Sequence, residues 1–212
     1  AERFGIPVRP TRAGLGPFPL QPAEKRLLAP LAGIAVPAVV SAGGTAFNEN
    51  VLITHRGLSG PAVLQASSHW QPGAPVRIDW LPQVDLAAEL RRQRAAHPRR
   101  RLRTALAERI PQRLATALLD DLGPESPLAE LGDTRVDAVA DALHHWTFVP
   151  AGTEGYRTAE VTVGGVDCDA VSSRTFEAEA VPGLHFIGEV LDVTGWLGGY
   201  NLQWAWSSGW CA

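Results

Sequence analysis

The sequence contains no methionine and only two cysteines among its 212 residues. Cys168 and Cys211 are far apart and belong to no CxxC or Cys/His grouping, which argues against a disulfide framework or a zinc site. Uninterrupted apolar runs of about 18 residues, and a basic-then-apolar opening segment, are both absent, so neither a membrane span nor secretion is expected. Free thiols suit a reducing compartment, and the expected location is the cytoplasm.

Methionine is absent even at position 1, which is Ala1. This absence suggests that the sequence is an internal piece of a longer protein. At 212 residues it is long enough to bury a substantial hydrophobic core.

Charge is unevenly distributed along the chain, whose formal net charge is −3. Residues 91–103 hold seven arginines and no acid, on sequence that looks helical and has no interleaved aromatic residues. Such a run is more typical of a solvated helix face than of a nucleic-acid footprint. Together with the acidic overall balance, it leads us to expect no nucleic-acid partner.

Three zones differ in their sequence pattern, and together they predict an α+β fold. Residues 1–82 are rich in proline and glycine and carry short β-branched runs, which predicts a β-rich domain. Residues 83–147 are helical in pattern and predict a small helical subdomain. Residues 148–212 return to strands and glycine-rich turns, and end in a helix.

Within the helical zone, leucine and isoleucine recur at four-residue steps, as expected for the buried face of a helix. These residues are Leu102, Leu106, Ile110, Leu114 and Leu118. Asp85 is a suitable N-cap for a preceding helix that ends near Pro98. Pro111 must kink or split the helix that contains it.

In the last zone, residues 156–163 have a strand pattern, and residues 184–187 resemble a buried parallel strand. A helix is expected from Tyr200 onward. Its aromatic residues pair at four-residue steps (Tyr200 with Trp204, and Trp206 with Trp210), the spacing of core packing.

Several familiar catalytic and nucleotide-binding motifs fail on inspection. Residues 57–61 approach the Gly-x-Ser-x-Gly elbow, but Pro61 replaces its last glycine, so an esterase built on Ser59 and His55 is weakly supported. Neither G-x-G-x-x-G nor a P-loop occurs. His144 and His145 are adjacent and do not share a helix face, so no metal site is predicted.

The most informative segment runs from residue 181 to residue 212. Glu189, with Asp192 nearby, precedes a glycine turn and a helix start near Gly199 and Asn201. Carboxylates accept hydrogen bonds from hydroxyl groups, and a helix amino end stabilises negative charge. The residues alone support a flavin-like ligand and a simple packed core about equally.

Four ordered segments resemble those of the BaiN-like flavoproteins, which are FAD-dependent oxidoreductases related to bile-acid dehydro-reductases and aminoacetone oxidases. The segments are residues 54–61, 159–166, 174–177 and 183–203, so the resemblance covers essentially the whole chain. Trp196-Leu197 departs from the pair that is common in the family.

The resemblance implies an FAD-dependent oxidoreductase, inactive as this piece alone, that transfers hydride to or from a small organic substrate, with NAD(P)H as a further candidate cofactor. Residues 1–82 would be a barrel-like insertion and 148–212 the closing part of a Rossmann-type FAD domain, whose N-terminal half, with its glycine loop, would lie outside this sequence. The implied cofactor-binding residues are Thr162, Gly164, Gly165, Gly188, Glu189, Asp192, Gly198, Gly199, Asn201 and Leu202. No catalytic acid or base is implied. The alternative is a non-enzymatic module that binds a nucleotide or a partner.

A first prediction concerns the 212 residues expressed alone. Because the amide cradle that usually holds the FAD diphosphate is absent from the sequence, this chain should retain FAD poorly or not at all. Absorbance after gel filtration measures the retained flavin. A stoichiometric complex with the isolated chain would contradict the prediction.

Overall fold

The computed structural model describes residues 1–120 and 122–212. Helices and antiparallel strands are mixed along the chain, which confirms the α+β class. The strands are β1 (Val8–Gly14), β2 (Phe18–Pro19), β3 (Ala35–Ala42), β4 (Thr45–Ile53), β5 (Gly57–Ser59), β6 (Val76–Asp79), β7 (Trp146–Phe148) and β8 (Val161–Val166). The helices are α1 (Pro22–Leu28), α2 (Pro61–Ser67), α3 (Leu86–Ala96), α4 (Leu102–Ala107), α5 (Gln112–Asp120), α6 (Asp133–His144) and α7 (Tyr200–Cys211).

The chain forms two compact units, one of Ala1–Gly16 with Thr153–Ala212 and one of Pro17–Gly152. Both the β-rich segment and the helical segment of the sequence contribute to the larger unit. The first strand belongs to the smaller unit because it pairs with β8. The division into domains 1–82, 83–147 and 148–212 stays a prediction of the sequence.

The larger unit contains an antiparallel sheet with strand order β2-β5-β4-β3-β6-β7. A two-residue turn, Gly43-Gly44, joins β3 to β4, and both glycines have positive φ (56° and 81°). This conformation matches the twist of a hairpin and favours glycine. A side chain at Gly43 would also collide with the His69 carbonyl, so this position has no room for a larger residue.

Pro37 lies inside β3 although proline usually limits strands to short or edge pieces. It pairs with Asn50 of β4. On the other side, β6 pairs only with Val39–Ser41 of β3. At Pro37, β3 is therefore an edge strand on the β6 side. The N–H that proline lacks costs no ladder hydrogen bond on that side.

The helices between β6 and β7 follow the sequence pattern closely. The Asp85 side chain accepts a hydrogen bond from the Ala88 amide at 3.0 Å and caps α3, as predicted. The predicted long helix is split at Pro111 into α4 and α5. The leucine and isoleucine residues at four-residue steps are all at most 5% exposed, which confirms their core role.

The arginine run at 91–103 is largely paired with acids on neighbouring elements, as expected for a solvated helix face. Arg91 contacts Asp133 and Asp137, and Arg103 contacts Asp120. The pKa of Asp133 is lowered, and the main cause is the hydrogen bond that it accepts from Arg94. These pairs join α3 to the start of α6, and α4 to the end of α5.

The smaller unit departs from the sequence expectations in three places. Residues 156–160 are not a strand, since a 3-10 turn occupies Gly155–Arg157 and β8 starts at Val161. Residues 184–187 form no parallel strand: they make a single antiparallel bridge, between Glu177 and His185. A single parallel bridge instead joins Val166 and Leu191.

The third departure concerns the aromatic residues of α7, which are not core residues here. Trp206 is 79% exposed and Trp210 is 90% exposed. Trp204 is half-buried and packs edge-on against Phe176 at a centroid distance of 5.8 Å. A four-residue spacing shows that two side chains share a helix face, and it does not show that the face is covered.

Across the described residues, 1–120 and 122–212, the structure contains no helix with the length and apolar character needed to cross a membrane.

The Asp85 cap gives a second prediction. Asp85→Ala should lower the free energy of local opening of α3 by about 1 kcal/mol, because the N-terminal amides lose their side-chain acceptor. Hydrogen exchange of the amides at 86–96 measures this change. Asp85→Ser keeps an acceptor and is the matched control. If the amides of Asp85→Ala exchange at the same rates as those of the wild type and of Asp85→Ser, the cap contributes nothing.

Candidate functional site

Two glycines of β8 allow neighbouring segments to approach the strand closely. Gly164 and Gly165 have φ of 89° and 139°. A side chain at Gly164 would collide with the Pro10 carbonyl, and one at Gly165 with the Val190 carbonyl. Both glycines are therefore needed for close packing of the backbone, independently of any ligand.

Glu189 lies in a 3-10 turn, Gly188–Val190, beside β8. Its Oε1 accepts a hydrogen bond from the Thr162 amide at 2.7 Å. The residue is exposed, and it borders two hollows of the smaller unit. One carboxylate oxygen is thus engaged by the protein, and the other can accept hydrogen bonds from a ligand.

The backbone of Gly188 is bonded to helix α7 through both its amide and its carbonyl. Its amide donates to Ser208 Oγ at 2.9 Å, and its carbonyl accepts from Trp204 Nε1 at 3.0 Å. Ser208 is only 1% exposed. These bonds set the position of Glu189 relative to α7. Trp204 and Ser208 were not predicted from the sequence as positioning residues, although a serine four residues after Trp204 in an aromatic helix was the available signal.

The amino end of α7 has no side-chain cap: its N-cap residue is Gly199, with φ of 87°. Backbone amides in the first turn of a helix have no intrahelical partner, and the helix dipole makes this end positive. The amides of Tyr200, Asn201 and Leu202 are in that position.

The Asn201 side chain is occupied by the preceding loop. Its Oδ1 accepts from the Gly195 amide at 2.8 Å, and its Nδ2 donates to the Gly195 carbonyl at 3.0 Å. Nδ2 also lies 3.4 Å from the Trp196 carbonyl. Asn201 can therefore offer a ligand its backbone amide but not its side chain.

The first hollow combines hydrogen-bond acceptors and donors on apolar walls. Glu160 and Glu189 supply carboxylates, the start of α7 supplies amides, and Leu15, Val161 and Leu197 supply apolar surface. Its volume of about 320 Å³ is at the lower end of the range for small-molecule sites. The hollow suits a planar heteroaromatic ring that carries hydroxyl groups.

The structure divides the predicted cofactor-binding residues between the two hollows. The first is lined by Glu189, Gly198, Gly199, Asn201 and Leu202. The second is lined by Glu189, Thr162, Gly164 and Gly165. Gly188 acts through its peptide, and the Asp192 amide donates to the Val166 carbonyl at 2.9 Å. The cofactor roles of these residues stay predictions.

Cys168 is close to this site but is poorly suited to act as a nucleophile. Partial burial raises the pKa of its thiol, and the carboxylates of Asp192, Asp167 and Asp169 raise it further. The thiol therefore stays protonated near neutral pH, whereas the thiolate is the reactive form. Within the described residues, no group of three His, Cys, Asp or Glu side chains is placed to hold a metal ion.

Residues 12–161 match the family described as "HI0933-like protein barrel and H2TH domain". The chain belongs to the HI0933-like family. It is 58% identical to "Ribosomal RNA dihydrouridine synthase" of Escherichia coli (strain K12), over 100% of this chain and 54% of that protein. It is 50% identical to the protein of the same name from Haemophilus influenzae (strain ATCC 51907 / DSM 11121 / KW20 / Rd), over 98% of this chain and 52% of the relative.

A third relative is "3-dehydro-bile acid delta(4,6)-reductase" of Clostridium scindens (strain ATCC 35704 / DSM 5676 / VPI 13733 / 19), which is 32% identical over 89% of this chain and 50% of that protein. The predicted relationship to bile-acid reductases is thus confirmed at the level of the family, while relatives with higher identity carry a different name. All three relatives have enzyme names. The chain spans about half the length of each.

The Asn201 contacts give a third prediction. Asn201→Ala removes two hydrogen bonds to Gly195, each worth about 0.5–1.5 kcal/mol. Exchange of the Gly195 amide should therefore become roughly tenfold to a hundredfold faster, since 1.4 kcal/mol is about one decade. Gln203→Ala is the matched control, because the Gln203 side chain donates to Ser207 on the same helix. Unchanged exchange at Gly195 in Asn201→Ala would contradict this account of the loop.

Proposed function

We propose that this chain forms part of a flavin-dependent reductase that converts uridine to dihydrouridine in ribosomal RNA. The observation that carries the proposal is the uncapped amino end of α7, which lines one hollow together with the carboxylates of Glu160 and Glu189. The relatives at 58% and 50% identity, named for dihydrouridine synthesis on ribosomal RNA, support the choice of substrate.

The names of the relatives describe one kind of chemistry. Dihydrouridine forms when the C5=C6 bond of uracil, which is conjugated to the C4 carbonyl, gains a hydride on one carbon and a proton on the other. A delta(4,6)-reductase of a 3-oxo steroid likewise reduces a double bond conjugated to a carbonyl. We infer that the family keeps this chemistry and that its members differ in the substrate presented.

Flavin, when bound, would supply the hydride and would in turn need an external donor, for which NAD(P)H stays a prediction. The chain's own residues would bind and orient the cofactor. The free oxygen of Glu189 accepts hydrogen bonds from polyol hydroxyls, and Glu160 offers a second acceptor in the same hollow. The amides of Tyr200–Leu202 stabilise negative charge that develops on a ring placed against them.

A further part of the proposal concerns the rest of the flavin domain. Curated relatives are about twice as long as this chain. Helix α7 exposes Trp206 and Trp210 almost completely, and such contiguous apolar surface usually marks an interface. We propose that the N-terminal half of the FAD domain, with its diphosphate loop, covers this face in the whole protein.

The proposal replaces two expectations. A non-enzymatic binding module receives no support from relatives that all carry enzyme names. The expected absence of a nucleic-acid partner rested on the arginine run being a solvated helix face and on the acidic net charge, whereas the names of the relatives favour RNA as the substrate. A small organic substrate is kept as the comparison in the test.

The direct test uses the full-length protein in two assays. Reduced protein is incubated with ribosomal RNA from a strain that lacks the gene, and with a 3-oxo-Δ4 steroid. We expect dihydrouridine in the RNA by mass spectrometry, together with reoxidation of the flavin. Reduction of the steroid alone would contradict the RNA assignment, and a colourless, flavin-free protein would contradict the cofactor assignment.

The fourth prediction concerns flavin retention. Glu189→Ala should raise the flavin dissociation constant of the full-length protein by about tenfold to a hundredfold, because a charge-assisted hydrogen bond is worth roughly 1.5–3 kcal/mol. Glu189→Gln keeps an acceptor oxygen for the Thr162 amide and the hydroxyls and should lose less.

Glu179→Ala is the control, since Glu179 is an exposed carboxylate of the same unit. Melting temperature with and without flavin separates binding from folding. If Glu189→Ala lowers both melting temperatures equally and leaves flavin affinity unchanged, Glu189 has only a structural role.

A further inference from the structure

A charged hollow between α3 and the end of α4 lies outside the proposed flavin site. Its polar lining includes Arg92, His97, Arg100 and Arg109, with Glu89 and Glu108 between them. Glu89 Oε1 accepts from Arg109 at 3.1 Å, and Arg92 bonds the other oxygen of this carboxylate. Glu108 Oε1 accepts from Arg100 at 2.6 Å.

In this hollow, both carboxylate oxygens of Glu89 and of Glu108 already accept hydrogen bonds, whereas arginine N–H donors are still available. Hydrogen bonds from Gln93 and Arg109 lower the pKa of Glu89, which therefore stays ionised with both oxygens engaged. A guanidinium carries several N–H donors in a planar fork. Among residues 1–120 and 122–212, the side chains of Arg92 and Arg109 each donate to Glu89 alone, so donors remain for an oxyanion.

Two more arginines project from the adjoining turn. Arg99 and Arg101 are exposed, and within the described part of the chain neither has an ion-pair partner. The backbone of this turn is held firmly: the Pro98 carbonyl accepts from the Ala129 amide at 2.9 Å, and the Arg100 carbonyl accepts from Leu128 at 2.7 Å. Their guanidinium groups are thus presented from a fixed backbone.

The local charge is positive although the whole chain is acidic. Arg92, Arg100 and Arg109 line the hollow with Glu89 and Glu108, and the adjoining turn adds the exposed Arg99 and Arg101. The exposed Glu130, which ends the opposing 3-10 turn, does not cancel the excess. Arginine forks match the geometry of phosphate oxygens, and phosphate contacts dominate affinity for nucleic acid.

We propose that this surface, called here the arginine turn, binds backbone phosphates of the RNA substrate. The inference rests on the proposed function, because the ribosomal RNA named for the relatives is the polyanion at issue. Phosphate contacts of this kind position a nucleic acid without reading its sequence. The arginine turn would therefore contribute affinity and orientation, and base selection would lie elsewhere.

Arg99 and Arg101 are the residues whose replacement distinguishes phosphate binding from a structural role. Arg109 joins the end of α4 to α3 through its ion pair with Glu89, and Arg100 pairs with Glu108 and bonds Gln93 of α3, so their removal would disturb folding as well as binding. Arg99 and Arg101 contribute no such pair, and replacing them tests phosphate binding alone.

The experiment measures binding of full-length protein to ribosomal RNA from a gene-deleted strain, across a range of salt concentrations. Arg99→Ala/Arg101→Ala should weaken binding about tenfold near physiological salt and reduce the salt slope by roughly 1.4–1.8, as for the loss of two phosphate contacts. In the dihydrouridine assay, the KM for RNA should rise while kcat is retained.

Lys25→Ala/Arg26→Ala is the matched control, since it removes the same charge from exposed positions of α1 and should leave the slope within about 0.5 of wild type. Arg99→Lys/Arg101→Lys keeps the charge and should retain most of the affinity. Unchanged melting temperatures would show that all three variants fold.

The outcomes separate this inference from the proposed function. Dihydrouridine formation with unchanged RNA binding in the Arg99/Arg101 variant overturns the arginine turn and leaves the function standing. Arginine-dependent RNA binding without dihydrouridine formation supports the arginine turn and overturns the function. Absence of RNA binding in the wild-type protein overturns both.

Discussion

The candidate site depends on the two hydrogen bonds between the Gly188 backbone and helix α7. Ser208 and Trp204 of α7 make these bonds, and Glu189 directly follows Gly188. Glu189 in turn accepts a hydrogen bond from the Thr162 amide of β8. One short turn thus connects the strand, the carboxylate and the helix whose amino end lines the same hollow. Loss of this connection would separate the acceptors from the donors without destroying either.

Local sequence rules predicted the helical segment well because its signals are local. The Asp85 cap, the break at Pro111 and the buried residues at four-residue steps each depend on neighbours along the chain. The residues around Glu189 were singled out by the carboxylate, glycine turn and helix start in the sequence, and their cofactor roles were implied by a family resemblance. The contacts that position Glu189, from Thr162, Trp204 and Ser208, involve partners too distant in sequence for periodicity to reveal.

The expectations that failed concern what covers a surface. Residues 184–187 and the aromatic side chains of α7 have the composition of buried elements, yet Ile187, Trp206 and Trp210 are exposed in this chain. Apolar composition predicts that a surface will be buried but does not identify the partner. The expectation that no nucleic acid binds stays a prediction, and net charge is weak support for it, because −3 is an average over the chain while Arg92, Arg100 and Arg109 line one hollow.

The central claim is that the hollow between Glu189 and the start of α7 holds the flavin ring. A crystal structure of the full-length protein with bound flavin tests this claim most directly. The account predicts ring polar atoms within hydrogen-bond distance of the amides of Tyr200–Leu202, and a ribityl hydroxyl bonded to the Glu189 carboxylate. A flavin bound elsewhere, with these amides facing solvent or protein, would contradict it.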